Sequence, residues 1–339
     1  MSARESIIPV FVPHLGCPND CVFCNQRRIS GSLQPATAAD VEKAINDAAA
    51  LLPKGAKRQL AFYGGSFTAI PHEQQLSLLK AAKAGLDAGL IHSVRLSTRP
   101  DAIDGEILNT LSRYGVETVE LGAQSMDDEV LALSGRGHTA GDVEQASGLI
   151  KSRGFRLILQ MMTGLPGDSP EKSIATAERI IALRPDGVRI YPTVVVRDTA
   201  LFDLWQAGHY TPHSVEDAVE LCSRIVPMFE KAGIPIIRLG LNPTEELSGG
   251  MAAAGAYHPA LGEMVKSRIM LKKALDILEG TAAGSRVVLG VHKSRISQMT
   301  GQKRCNATAL TERFSLSELK IVAADVPEGQ ISLISVEKP

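Results

Sequence analysis

Hydrophobic positions along this chain fall into two alternating rhythms. Short β-branched runs at 7–12, 59–63, 93–97, 118–121, 156–161 and 187–190 have the length and composition of strands. Between them, apolar residues recur at three- and four-residue steps near 38–52, 72–86, 104–113, 141–153 and 170–183, the period of amphipathic helices. Start signals agree with the periods. Thr37 precedes Asp40 at capping-box spacing, and Ser169 precedes Pro170, whose fixed φ suits the first helical position. Strict strand–helix alternation calls for parallel strands joined by crossover helices. Six such units predict an α/β fold, a partial (β/α)6 TIM-type barrel of parallel strands. A doubly wound open sheet would show the same alternation.

Beyond Val196 the rhythm changes. Ser214 is placed to cap a helix whose apolar positions run from Val215 through Ala218, Val219, Cys222, Ile225 and Val226 to Phe229. A further strand is predicted at 234–239, then a Gly-rich segment at 247–255 and a helix from 259 to 279. The remainder reads as mixed, with strands at 286–291, 320–323 and 331–336. Two domains follow: a core barrel over 5–240, with a loop at 15–31, and a small C-terminal α+β extension, mixed α/β, over 241–339.

Composition acts mainly by exclusion. The 339 residues are 44% hydrophobic and 22% charged with a net charge of −1, which rules out a disordered tail, a fibre and a global field for nucleic acid or membrane. No apolar run approaches the roughly 20 residues that span a bilayer, and the first seventeen residues lack a signal-peptide core. A soluble, cytoplasmic protein without membrane attachment is expected. One local excess stands out: ten Lys/Arg against four acids between 263 and 313. Such a run is either a solvated helix face or a phosphate-contacting surface, with Lys272 and Lys273 as the residues to test.

Five cysteines are too few and too unevenly spread for a disulfide framework. Cys17, Cys21 and Cys24 crowd a loop just after the first strand. A structural zinc site or a ferredoxin cluster uses four protein ligands, and no second pair exists nearby. Three thiolates suit a cubane whose fourth iron binds something exchangeable. Cys222 lies on an apolar helix face and reads as core; Cys305 is either an ordinary thiol or a distant fourth ligand.

Three cysteines spaced CxxxCxxC after the first barrel strand, with Phe23 before the last, resemble the radical S-adenosylmethionine (radical SAM) enzymes. The resemblance implies a [4Fe–4S] cluster on Cys17, Cys21 and Cys24, with S-adenosyl-L-methionine on the fourth iron and Phe23 near its adenine. It further implies reductive cleavage to methionine and a 5′-deoxyadenosyl radical that takes hydrogen from a substrate. An electron donor of flavodoxin or ferredoxin type is implied as partner. Residues 62–67, Phe-Tyr-Gly-Gly-Ser-Phe, match the family segment whose backbone receives the methionine ammonium, with Ser66 in place of the usual Glu. Gly64, Gly65 and Ser66 are therefore cofactor candidates. Ser97, Thr98, Arg99 and Gln124, at the ends of the third and fourth strands, are candidates for ribose and carboxylate contacts. A structural ion pair is the alternative for Arg99.

The ordered motifs at 97–101, 120–125, 136–139, 162–167 and 189–193 resemble the branch of the Elongator catalytic subunit. That likeness implies an RNA substrate, tRNA first. The chain ends at Pro339, so the branch's acetyltransferase domain is expected to be absent. Competing readings are a radical SAM enzyme acting on a small metabolite such as a tetrapyrrole, and a non-enzymatic iron–sulfur or zinc protein. His138 is read as a contact at the barrel mouth. His258 either caps the following helix or touches substrate, His14 either lies near the cluster or packs, and Tyr191 either stacks at the sixth strand end or packs.

Overall fold

The computed structural model describes residues 6–12, 17, 21–24, 36–51, 56–245 and 247–339. Most of the loop at 15–31, and His14 with it, lie outside the described residues. Contacts divide the chain into two compact units, Met1–Pro212 with Met228–Gly255, and His213–Pro227 with Ala256–Pro339.

The first unit is built on strand–helix alternation. Its elements are β1 (Ser6–Phe11), α1 (Ala38–Leu51), β2 (Arg58–Tyr63), α2 (His72–Asp87), β3 (Ser93–Thr98), α3 (Gly105–Arg113), β4 (Val116–Gln124), α4 (Asp128–Leu133), α5 (Ala140–Ser152), β5 (Arg156–Thr163), α6 (Pro170–Ala182) and β6 (Gly187–Pro192). There follow β7 (Val194–Val196), α7 (Ala200–Gln206), α8 (Val215–Lys231), whose residues up to Pro227 belong to the second unit, β8 (Ile236–Leu239) and β9 (Ala252–Gly255). Seven strands make one sheet in the order β1-β2-β3-β4-β5-β6-β8, and every neighbouring pair is parallel. The barrel is thus partial, as the alternation predicts, but it has seven strands where six units were expected. The segment at 234–239 closes the sheet as its seventh strand after a detour through β7, α7 and α8, which broke the sequence rhythm.

Burial explains the strand composition. β2 and β3 are buried along nearly their whole length, because helices cover one face and the barrel interior the other. The expected helix starts are present. Asp40 N donates to Thr37 Oγ1 at 3.3 Å and Thr37 N to Asp40 at 2.8 Å; Lys172 N donates to Ser169 Oγ at 3.2 Å. A further capping box, Thr139 with Asp142, opens α5.

The second unit holds α9 (Leu261–Ile277), β10 (Arg286–Val291), α10 (Ile296–Thr300), α11 (Cys305–Arg313), β11 (Glu318–Ala323) and β12 (Ile331–Glu337). Its sheet runs β11-β10-β12, parallel on one side of β10 and antiparallel on the other. Val287, Leu289 and Val291 pack with Met270, Ala274, Leu278 and Leu310 in its core. All three expected strands are there. The two helices between β10 and β11 carry too few apolar positions to show a period.

Candidate active site

Parallel strands deliver their carboxyl ends to one rim, which is where βα loops build sites in barrels. Here that rim encloses a cavity of about 280 Å³. Cys17, Cys21 and Cys24 line it together with Phe23. Gly64, Gly65 and Ser66 follow β2 into the wall, Ser97, Thr98 and Arg99 follow β3, and Gln124 ends β4. The three cysteines and all eight cofactor candidates from the sequence border this one space. Tyr63, Glu120, Gly122, Arg136 and Gln160 border it as well.

The cysteine segment is anchored by its backbone. Val22 N donates to Ser134 O at 3.1 Å, Leu201 N donates to Val22 O at 2.7 Å, and Cys24 N donates to Cys21 O at 3.0 Å. Val22 and Phe23 pack against a small core of Val195, Leu201 and Tyr210. Cys21 is buried while Cys17 and Cys24 are partly open. Burial, and after it the neighbouring Cys21, push the Cys17 thiol above its ordinary pKa. Among the described residues the thiols are not drawn into a closed ligand set; they share a wall.

Beside them stands Arg136, from the loop between α4 and α5. Its Nη1 donates to Cys21 Sγ at 3.2 Å and its Nη2 to Gly122 O at 2.8 Å. A Cβ on Gly122 would come within 2.9 Å of Gln124 Nε2 and 3.2 Å of Arg136 Nη2. The strand register shifts there, and Gln124 takes a left-handed φ of 64°. Bulges of this kind re-aim side chains at active sites. Gln160 Nε2 donates to Gln124 Oε1 at 3.3 Å.

Three candidates have commitments that the sequence did not reveal. Arg99 grips Asp101 through Nε at 2.9 Å and Nη2 at 3.0 Å, and Nη2 also reaches the Arg136 carbonyl. The ion-pair alternative is the observed one, though Nη1 has no partner. Ser66 and Thr98 share a hydroxyl hydrogen bond at 2.9 Å, Thr68 joins them, and Arg99 N donates to Ser66 Oγ at 3.1 Å. Their hydroxyls tie the β2 and β3 ends together. Ser97, by contrast, has a half-buried hydroxyl with no hydrogen bond to any described residue.

Under the cavity lies a buried charge cluster. Glu120 Oε1 accepts from Arg95 Nη1 at 2.8 Å, Tyr63 Oη at 3.1 Å and Arg189 Nη2 at 3.2 Å. Burial and the Glu120 charge both push the Tyr63 phenol up, so it serves as a donor. Tyr191 sits beside this cluster, its hydroxyl 3.5 Å from Arg189 Nη1.

The histidines separate cleanly. His258 Nδ1 accepts from Ala260 N at 3.0 Å in the turn before α9, whose N-cap is Ala260 with no side-chain capping bond, so His258 braces the turn and does not cap the helix. His138 does not border the cavity. It is buried, its Nε2 lies 3.3 Å from the Ala123 carbonyl, and burial, then the Arg136 charge, bring its pKa down to about 4. Its expected place as a contact at the mouth gives way to a neutral ring behind β4. A group held neutral in the fold stabilises it fully above pH 6.5 and loses that contribution as pH falls toward 4. The unfolding free energy of apo protein should therefore drop between pH 7 and pH 4.5, by about 2 kcal/mol from this residue. A His138→Gln variant should show a clearly shallower drop in the same urea series. Cys222 is fully buried, its pKa pushed up to about 12. Cys305 opens α11 and borders a different cavity.

Half of the chain, residues 11–180, matches the family model described as the radical SAM superfamily. The chain belongs to that superfamily. A second model, the Radical_SAM C-terminal domain, matches residues 185–270. Human Elongator complex protein 3 is 29% identical over 233 residues, 63% of this chain and 42% of that protein. The tRNA uridine(34) acetyltransferase of Methanocaldococcus infernus is 35% identical over 183 residues, 53% of this chain and 33% of that one. This radical SAM enzyme thus spans less than half the length of these curated relatives. Among solved structures, Methanocaldococcus infernus Elp3 with an N-terminal deletion aligns with TM-score 0.64 at 22% identity, over 84% of this chain and 70% of that one. The radical SAM coproporphyrinogen III oxidase of Escherichia coli aligns with TM-score 0.50 at 19% identity, over 68% and 53%. Both share the fold. No helix among the described residues is long and apolar enough to cross a membrane.

Proposed function

We propose that this chain holds a [4Fe–4S] cluster on Cys17, Cys21 and Cys24, cleaves S-adenosyl-L-methionine reductively, and modifies tRNA. The observation that carries the reading is convergence: three thiols and the ends of β2, β3 and β4 share one cavity. The donor set fits the group, since three thiolates leave one iron for an exchangeable ligand. When bound, the cluster supplies the electron, drawn from a flavodoxin- or ferredoxin-like donor, that breaks the sulfonium bond and leaves a 5′-deoxyadenosyl radical to abstract hydrogen.

The chain's residues do the rest. Gly64, at φ 95°, holds a backbone conformation that a side chain would strain, and an added Cβ would lie 3.3 Å from the Phe11 ring. Bare backbone at Gly64 and Gly65 lets the methionine ammonium approach closely. Arg136 places a guanidinium for the methionine carboxylate. Arg99 supports it, because Arg99 Nη2 holds the Arg136 carbonyl while Asp101 fixes Arg99. Ser97 and Gln124 offer polar groups to the ribose, Phe23 a face to the adenine, and Ser66 with Thr98 keeps these strand ends in register. The tRNA half rests on the likeness to the tRNA uridine(34) acetyltransferases.

The test is anaerobic. Full-length protein is reconstituted with iron and sulfide, reduced with dithionite and given S-adenosyl-L-methionine, with and without a tRNA transcript. Mass spectrometry should find 5′-deoxyadenosine, in larger amount with tRNA, and a shift of the reduced cluster's EPR signal on adding S-adenosyl-L-methionine. Neither product nor EPR shift from an intact cluster would sink the radical assignment. Product unaffected by tRNA, with no altered nucleoside, would sink the substrate assignment alone.

A further inference from the structure

The basic run at 263–313 divides sharply once its partners are known. Half of its cations are engaged within the second unit. Arg268 pairs with Glu220 at 2.7 Å, and Lys272 pairs with the same carboxylate. Lys273 donates to the Gly329 carbonyl at 2.7 Å, Lys266 meets Glu263 at 3.3 Å, and Arg295 meets Glu328. Lys272 and Lys273, the residues singled out from sequence, are therefore structural. Of the other five, Arg286 starts β10 and Arg313 ends α11, and the remaining three lie close together in the sequence. Lys293, Lys303 and Arg304 are exposed and have no ion pair or hydrogen bond with any described residue.

These three flank one short helix. Lys293 opens the turn before α10, and Lys303 and Arg304 lie in the turn after it. The five residues of α10 are about 7.5 Å long, a length that spans about two phosphates of one nucleic-acid strand. No acid occurs between 293 and 304. Two nearby carboxylates are already engaged: Glu263 by Gln298 and Lys266, Glu328 by Arg295 and Ser294.

The second turn is held in an unfavourable conformation. Lys303 and Arg304 both have left-handed backbones, φ 49° and 65°. Consecutive non-glycine residues in that region are strained and persist only where the surroundings impose them. Here they do. Arg304 N donates to Gly301 O at 3.1 Å, and a Cβ on Gly301 would collide with Cys305 Sγ at 2.5 Å. Asn306, buried, donates through Nδ2 to Ser267 O at 2.9 Å, Ser267 Oγ at 3.0 Å and Gln298 O at 3.2 Å. A strained turn that presents two unpaired cations, fixed from behind by a buried amide, is preorganised for an anionic partner.

We infer that Lys293, Lys303 and Arg304 form a phosphate-contacting surface for RNA in the second unit. The inference rests on the tRNA reading above, and residues beyond 270 lie outside both matched family models. Backbone contacts of this kind position a nucleic acid without reading its sequence.

The experiment is a salt titration of binding by fluorescence anisotropy, with reconstituted full-length protein and an unmodified tRNA transcript. The Lys303→Gln/Arg304→Gln pair should reduce the slope of log K against log salt by about two and weaken binding about tenfold near physiological salt. A Lys303→Gly/Arg304→Gly pair should do the same while melting no lower, since glycine relieves the strained φ. Wild-type binding with an unchanged slope in both pairs overturns this surface and leaves the tRNA reading standing. No wild-type binding overturns both. Polyglutamate bound as tightly as tRNA assigns the turn to an acidic protein, and overturns it too.

Discussion

Cys21→Ala protein, reconstituted and reduced beside wild type, is expected to hold little iron and sulfide and to form no detectable 5′-deoxyadenosine. The expected loss is at least about 100-fold, since weakening a ligand's support alone already costs about 10–100-fold in metal affinity or activity. Cys21 is the most deeply buried of the three thiols and the one that Arg136 touches, at 3.2 Å. Two thiolates cannot hold a cubane that needs three protein ligands. Removing one sulfur from a loop anchored by backbone bonds at Val22 and Cys24 leaves the fold intact, so far-ultraviolet circular dichroism should be unchanged. Iron and sulfide per chain, with the absorption of the reconstituted protein, form the readout that does not depend on turnover. A variant that kept both iron and product would remove Cys21 from the ligand set.

Glu120→Gln is expected to produce the largest loss of stability. Glu120 and Arg95 are 4% and 6% exposed at their side chains, and Arg189 is 14% exposed. One carboxylate serves two guanidinium groups and the Tyr63 hydroxyl. Neutralising it leaves two poorly solvated positive charges facing each other, and breaking a buried pair from one side costs about 3–5 kcal/mol. For a unit of this size that is a fall of about 10 °C in Tm. Apo protein isolates the effect from any cofactor binding. Replacing Arg189, the more open partner, should cost distinctly less. Equal melting temperatures for wild type and Glu120→Gln would show that the cluster is not energetically coupled.

Much of the fold was legible because periodicity and caps are local. The helix at 170–183 was announced by Ser169 and Pro170, and the structure starts α6 at Pro170. The strand at 234–239 was recognised as a strand but not as the barrel's seventh. Its partner β6 is more than forty residues away, and nothing in a strand's own composition names its neighbour. The site was legible in outline for the same reason. Cysteine spacing and glycine pairs are loop signatures, whereas Gln160 and Glu120 look like ordinary polar residues within strands. Arg136 stood inside a recognised motif without a role, because its meaning comes from Cys21, 115 positions earlier.

The sequence by itself determined the alternating elements, the three-thiol loop and the glycine-rich turn after the second strand, since each is written in residues a few positions apart. Only the tertiary structure decided which charges meet. Register and crossover geometry put Asp101 on Arg99, Glu120 between Arg95 and Arg189, and Glu220 on Lys272. They also buried His138 until it became neutral, and left Lys303 and Arg304 alone on a strained turn. Pairing energies depend on distance and desolvation, and neither exists before the chain has folded.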